Sequence, residues 1–442
     1  MNTLIAHITP TLSAERAQTI ARSLDLRALP RDFLDNPYPV YAALREAEPF
    51  KRMPDGSYFL TRHADLVAVY RDAKVFSSDK QVEFGPKYNH PPFNQHPCAT
   101  ASGVSPLFEH HTSSLVFNDP PLHTRVRRLI MGALTRRAID AMEPGLVHLV
   151  DSLMDKIEAQ GGGDLIEDFA SAIPVEIIGN LLGVPYAERE PLRGWSLAIL
   201  GALEPALSPE QEALGNRSVS EFLAYLRKLV ADRRLHPGDP EHDVLTRLIQ
   251  GEENGDALSE VELLQNCVFL LNAGHETTTN LIGNALISLQ QWPEQREQLE
   301  ADLKQAGSDE EREQIMGLAV DEFLRFESSN QLSNRRAVQA TQVNGFNLPA
   351  GALITLCIGA ANRDPAVYAN PEQLDLRRTG NKHLAFGFGV HQCAGLSLAR
   401  LEGRVAIGRF LQRFPDVQLT QAPQRGGRAR FRGFLHAPFS TR

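Results

Sequence analysis

The residues whose types and spacing bear most directly on chemistry lie in one glycine-rich run, Phe386-Gly387-Phe388-Gly389-Val390-His391-Gln392-Cys393-Ala394-Gly395. It sets a single cysteine ahead of an amphipathic stretch beginning near Leu396, so that a helix N-terminus would face the sulfur and favour its anion. Glycines at 387, 389 and 395 permit unusual backbone angles, let a flat cofactor approach and allow amide N–H groups to turn toward the sulfur. A buried structural cysteine in a tight turn is the plainer explanation. Residue frequencies decide against it, because F-x-x-G-x-H-x-C-x-G should arise by chance in roughly one chain in tens of thousands.

Three further constellations stand upstream. In Ala273-Gly274-His275-Glu276-Thr277-Thr278 two small residues break an apolar helix face, and an acid and an alcohol follow. Helical spacing sets Ala273 beside Thr277, where a ligand could lie against the helix while hydroxyl and carboxylate relay protons into an apolar pocket. His275-Glu276 also opens a zinc-protease pattern, but Thr279 stands where the second histidine must be, so that chemistry is excluded. Glu322-Phe323-Leu324-Arg325 puts a carboxylate one turn from a guanidinium. Asp119-Pro120-Pro121-Leu122-His123-Thr124-Arg125-Val126-Arg127 starts a helix and brings His123 and Arg127 onto one face.

Together, and in their order along the chain, these segments resemble the cytochrome P450 family, from about Pro37 to Phe439 and including Ala361-Asn362-Arg363-Asp364-Pro365. The resemblance implies a mainly α fold with a smaller β part, with haem b (iron protoporphyrin IX) between a long central helix and the cysteine-loop helix. Cys393 would be the axial ligand to the haem iron. Phe386, Gly387 and Gly395 would border the haem on the cysteine side, and Ala273 and Gly274 on the other. His123, Arg127, His391 and Arg335 would meet the propionates, with the adjacent Arg336 an alternative to Arg335. Thr277 and Glu276 would be the catalytic alcohol and acid. Glu322 and Arg325 would be structural, joined by a later arginine. The family often sets that arginine in P-x-R-F, whereas Pro371-Glu372-Gln373-Leu374 lacks it, so Arg378 is assigned the role. A second departure is the polar run Ser328 to Ser333. Substrate-pocket walls would come from residues 85–114, Leu270, Ala273, Gln331, Leu332, Phe434 and Leu435.

The elements needed to position these groups are legible in outline. Amphipathic runs predict helices at Tyr38 to Ala47, Thr124 to Leu134, Pro144 to Gln160, Glu176 to Leu182, Glu210 to Arg234 and Asp243 to Ile249. Ser259-x-x-Glu262 is a capping box, and no proline follows until Pro293, so this helix should span about 50 Å. Strands are expected on either side of Pro54-Asp55-Gly56, at Gln342 to Asn347 and at Ala352 to Ile358, with a final hairpin over Arg428 to Phe439. Residues 85–114 lack periodicity and read as a substrate-access loop. Residues 1–30 read as an N-terminal extension to a single catalytic domain spanning 1–442.

Composition bounds the function. The 442 residues carry a net charge of −9 and 42% hydrophobic residues, which fits a globular chain and gives no electrostatic signature for nucleic acid or an anionic membrane. No apolar run is long enough to span a bilayer, so the chain reads as cytoplasmic. Four cysteines without a C-x-x-C signal neither a zinc module nor a disulfide framework. The expected activity is hydroxylation of a medium-to-large lipophilic molecule with O2. No dinucleotide fingerprint is present, so electrons must come from a separate protein; the family resemblance implies a ferredoxin fed by its NAD(P)H reductase, docking near Arg128, Lys382, Arg400 and Arg404. A peroxide-using fatty-acid peroxygenase and a haem-based sensor without turnover are the alternatives.

Overall fold

The computed structural model describes residues 11–81, 83–84, 105–240, 243–253 and 256–441. Ser13 caps helix α1 (Ala14–Arg22), and Pro37 precedes α2 (Tyr38–Ala47). Gly56, at φ 85°, turns β1 (Phe50–Arg52) back antiparallel onto β2 (Tyr58–Leu60). Strand β3 (Phe76–Ser77) precedes α3 (Pro106–Ser113), α4 (Leu122–Ala133) and α5 (Glu143–Gln160). Helix α5 ends at Gly161, whose φ of 75° allows the chain to turn into β4 (Gly162–Asp164). One wide turn of π-helix, Leu165–Ala170, leads to α6 (Ala172–Leu181), α7 (Glu190–Gly201) and α8 (Pro209–Leu235).

The central helix α9 (Glu260–Gln291) starts where the sequence places its cap: Ser259 accepts from the Glu262 amide while the Glu262 carboxylate accepts from the Ser259 amide. It ends before Pro293. Most of its residues are buried, as expected of a helix packed on all sides. Helix α10 (Asp309–Phe326), strands β5 (Leu332–Ala337) and β6 (Leu353–Cys357) and the cysteine-loop helix α11 (Leu396–Arg413) follow. Four short strands complete the chain: β7 (Gln418–Leu419), β8 (Gln424–Arg425), β9 (Phe434–His436) and β10 (Pro438–Ser440).

The largest sheet runs β1-β2-β6-β5-β3, with Thr355 opposite Phe59 on one side and Asn334 on the other. A second sheet runs β7-β10-β4, and β8 pairs with β9. The main core surrounds α9 and includes Phe169, Phe222, Leu226 and Ile282. A smaller cluster joins α1 and α2 to the large sheet through Ala17, Ile20, Tyr41, Phe59, Leu332 and Cys357.

Several expectations change. Residues 11–30 are no appendage, because Ala17, Ile20, Ala21 and Leu24 are buried against α2 and the sheet. Of the expected access loop, 85–104 lie outside the described residues. The remainder holds a helix, capped by the Ser105 hydroxyl and anchored by its buried Leu107 and His110. The hairpin expected over 428–439 does not form: β9 pairs back with β8, and β10 crosses to β4 and β7. Ala437, fully buried between them, separates the two pairings. The strand expected over 342–347 is a tight hairpin with Asn344 and Gly345 at positive φ in its turn.

Candidate active site

The cysteine loop is held by its own backbone. The Cys393 amide donates to the Phe386 carbonyl at 2.8 Å, and the Gly387 amide donates to Leu384 at 2.8 Å. Gly387 and Gly389 have φ of 65° and 73°, so both need the freedom of glycine. Gly395 does not. Its φ is −92° and open space surrounds the place where a Cβ would stand; its role is to begin α11 and aim its amide at the sulfur. Burial raises the Cys393 thiol above its ordinary pKa, against the lesser pull of the Gly395 amide, Arg127 and Arg400. Desolvation therefore outweighs the helix-terminus effect expected from the sequence. Phe386 lies under the Arg400 guanidinium, 4.9 Å from its ring centre.

Beside the loop, the rings of His123 and His391 stand 4.0 Å apart. Burial is the first cause that lowers both, His123 to about 4 and His391 further, and Arg127 and Arg335 add to it. Among the described residues both ring nitrogens of His123 and Nε2 of His391 have no hydrogen-bond partner. Arg335 is buried, lies over the Tyr70 ring at 5.2 Å and acts on both histidines, which Arg336, on the other side of β5, does not.

On α9 one face differs from the rest. Ala273 is exposed and Gly274 and Thr277 partly so, although Leu271, Asn272, His275 and Glu276 are buried. The Thr277 hydroxyl donates to the Ala273 carbonyl at 2.6 Å. Glu276 pairs through Oε1 with Nη1 of Arg428 at 2.6 Å, and its Oε2 has no partner among the described residues. Burial pushes the carboxyl up to about 7 even though Arg428 pulls it down. Gly274 was expected to make room for a cofactor, but a Cβ there would come 2.4 Å from Cδ1 of Ile178, so its small size serves the contact with α6.

Glu322 and Arg325 are fully buried and doubly bonded, at 2.8 Å for each contact. Arg378 adds its Nε to both Glu322 oxygens at 3.2 and 3.1 Å. The chain where P-x-R-F is missing still serves the cluster, since Pro371 and Gln373 offer their carbonyls to Arg325.

The chain matches the family model "Cytochrome P450" over residues 201–426. It is 34% identical over 394 residues to the polyketide biosynthesis cytochrome P450 PksS of Bacillus subtilis, covering 89% of this chain and 92% of that protein. This chain is a cytochrome P450. It is also 35% identical to the vitamin D(3) 25-hydroxylase of Pseudonocardia autotrophica over 88% of each chain. Its fold superposes on the crystal structure of P450BioI, in complex with an acyl carrier protein carrying hexadec-9Z-enoic acid, with a TM-score of 0.82, 31% identity and coverage of 93% and 99%. It is thus an oxidoreductase of the monooxygenase class, in a family whose cofactor is a haem-thiolate.

The residues present fit that cofactor. A P450 haem needs a thiolate below, a lean surface above and cationic or hydrogen-bonding groups for two carboxylates. Cys393, the exposed Ala273 face, and the ring nitrogens of His123 and Nε2 of His391, unpartnered among the described residues and beside Arg127 and Arg335, are of those kinds.

Two expected pocket residues point elsewhere. The Gln331 amide donates to the Ser328 carbonyl at 2.8 Å and to the Tyr38 hydroxyl at 3.3 Å, with its oxygen against Gly359. Leu332 is buried in the α1–α2 cluster, because alternation along β5 turns it to the far face. Leu270 packs partly buried against the main core, and Phe434 and Leu435 line a cavity with Glu276. Of the four cations expected to receive a redox partner, Arg400 is held by Asp321 at 2.8 Å and Arg404 by Glu313 at 3.2 Å. Sequence reasoning missed Arg428, which meets Glu276 from 152 residues away with no local pattern to announce it.

Proposed function

We propose that this P450 hydroxylates a C–H bond of a medium-to-large lipophilic molecule, using haem b, O2 and electrons from a ferredoxin and its NAD(P)H reductase, in one catalytic unit spanning the chain. Cys393 would be the axial ligand, with His123, Arg127, Arg335 and His391 on the propionates and Phe386 and Gly387 beside the sulfur. When bound, the haem supplies oxygen activation at its iron, favoured by electron density from the thiolate.

The observation that carries this reading is the acid and alcohol set side by side where α9 turns its one open face. Glu276 is buried, yet half protonated near pH 7, which suits a group that must give a proton at neutral pH and take another. Thr277 keeps its hydroxyl at the open face by donating to Ala273, leaving its oxygen free to accept. Ala273 leaves room for substrate and oxygen beside it. Phe434 and Leu435 line a cavity with Glu276 whose walls do not include Ala273 or Thr277, so they are not assigned to the substrate face. A peroxygenase has no need of a proton donor matched to neutral pH, so the Glu276 environment favours the O2-using cycle.

The relative solved with a carrier-bound C16 acyl chain makes such chains a first choice of trial substrate. The deciding experiment is the absorption spectrum of the reduced, carbon monoxide-treated protein beside Cys393→Ala. A strongly red-shifted Soret band in the wild type alone supports thiolate ligation. A shorter-wavelength band, or no haem in folded protein, overturns it. Product formation with the reductase chain, and not with peroxide alone, then separates the two cycles.

A further inference from the structure

Asp321 and Glu322 are neighbours on α10, and each carboxylate serves a different cluster. Glu322 binds Arg325 and Arg378 in the interior. Asp321 turns instead toward the cysteine loop, where its Oδ1 accepts from Nε of Arg400, on α11, at 2.8 Å and from Nε2 of His383 at 3.3 Å. Asn381 ties the two clusters together, its Nδ2 donating to the Asp321 carbonyl and to Glu322 Oε2, both at 3.2 Å. Burial disfavours the Asp321 charge, but the hydrogen bonds from His383 and Arg400 outweigh it and hold the carboxyl below its ordinary pKa. Asp321 is therefore an anion at neutral pH, and His383 donates to it through Nε2.

Both donors rest on one aromatic ring. The Arg400 guanidinium lies 4.9 Å from the Phe386 ring centre, and the His383 ring centre lies 5.6 Å from it at an interplanar angle of 57°. A guanidinium at that distance is within reach of cation–π attraction. The Phe386 carbonyl accepts from the Cys393 amide at 2.8 Å, so ring and sulfur belong to one turn of chain. Burial disfavours a negative sulfur there, and the Gly395 amide, Arg127 and Arg400 act the other way. Arg400 is held from two sides, by a carboxylate at Nε and by an aromatic face beneath it. Its side chain is 34% exposed and that of Asp321 29%, so solvent screens part of the charge and keeps its influence modest.

We propose that Arg400, set over Phe386 by Asp321, raises the reduction potential of the haem held by Cys393, as a positioning residue that acts through the thiolate and its loop. The inference rests on the reading of Cys393 as the axial ligand. Reduction delivers one electron from the ferredoxin and no proton, so cofactor and thiolate together gain one negative charge, which a fixed cation nearby favours. The lever is the charge around the axial ligand, not the identity of the ligand. Lysine is no equal substitute, because an ammonium has neither a plane to lie on the ring nor a fork to offer Asp321. The same arrangement withdraws Arg400 from the cations open to a redox partner, whose acids would have to displace Asp321.

The test is a spectroelectrochemical titration of the purified holoenzyme with redox mediators, read as the ratio of ferrous to ferric haem at a fixed potential. Arg400→Leu should lower that ratio about threefold or more, equivalent to about 28 mV on the one-electron scale of 59 mV per tenfold. Arg400→Lys keeps the charge and should recover part of the loss; a lysine variant as low as the leucine one means that charge is not the cause, and the proposal falls. Asp321→Asn removes the countercharge while leaving an oxygen to accept from Arg400, so it should raise the ratio. It also carries the comparison should Arg400→Leu not fold. Unmoved ratios overturn the proposal, and so does an Arg400→Leu variant whose only defect is a raised KM for the ferredoxin, since Arg400 is then a docking charge. The carbon monoxide band of the wild type separates the two failures. Without the red-shifted band it is the reading of Cys393 that falls; with the band and unmoved ratios, the proposal alone does.

Discussion

Gly389 has φ of 73°, and a Cβ there would come 2.5 Å from the Tyr70 carbonyl oxygen. Strain of roughly 1–3 kcal/mol from the left-handed backbone would add to a clash with main chain that cannot swing away. Gly389→Ala should therefore fold with lower thermal stability and retain haem poorly, as absorbance against protein content would register. Gly395→Ala, at φ −92° with open space around it, should retain far more. The sequence marks both glycines alike, because a motif records spacing and not dihedral angle. It could not reveal the Glu276 partner either, since Arg428 arrives from the loop between β8 and β9. The buried, ion-paired state of Glu276 should appear in the pH profile. Productive coupling should fall as pH rises through about 7, where the acid form is lost, and Glu276→Gln should abolish that limb.

Elements with their own local signals were readable, and those formed by distant pairing were not. Helix α9 begins at its capping box and stops at its proline, so Ser259→Ala should cost about 1 kcal/mol in urea denaturation. Short strands such as β4 and β8 have no such signature; β4 exists because β10 passes beside it. The same contrast holds for the Glu322 cluster. The i, i+3 pair is visible in the sequence, whereas the Arg378 contact and the carbonyls of Asn362, Pro371 and Gln373 come from a long loop. Removing the carboxylate strands two buried or nearly buried guanidinium groups. Glu322→Ala should lose about 3–5 kcal/mol, with Arg378→Ala milder because its side chain is 12% exposed.

Across the whole molecule, buried titratable groups of opposite sign shape stability against pH. His110, bonded to Gln265, is lowered to about 4 and His275 to about 3, chiefly by burial. Their stabilisation is complete above pH 6.5 and is lost as pH falls toward those values, on the order of 3 kcal/mol for His110 and about 5 kcal/mol for His275. Glu402, with one oxygen unpartnered among the described residues, is raised to about 8 by burial, and Glu276 to about 7. Their stabilisation is complete below about pH 4.5 and is lost as pH rises through 7 to 8. The four contributions nearly cancel between pH 4.5 and 6.5 and fall away on both sides. Glu402→Gln should tilt this balance, gaining on the order of 4 kcal/mol more at pH 8 than at pH 4 relative to wild type in denaturant melts.

The contact between Gly274 and Ile178 sets an order on how this enzyme can change. A methyl group at 274 has nowhere to go while Ile178 keeps its present rotamer, with Cδ1 only 2.4 Å from where that methyl would stand. A library that varies position 274 alone would score even alanine as costly, since Ile178 must change rotamer to admit it. Shortening Ile178 first, at roughly 0.5–1.5 kcal/mol for Ile178→Val, removes Cδ1 and leaves only Cγ1, 3.0 Å from the methyl, to give way, so Gly274→Ala should be better tolerated afterwards. The two positions therefore form an epistatic pair, and selection at this contact should favour the change on α6 before the change on α9.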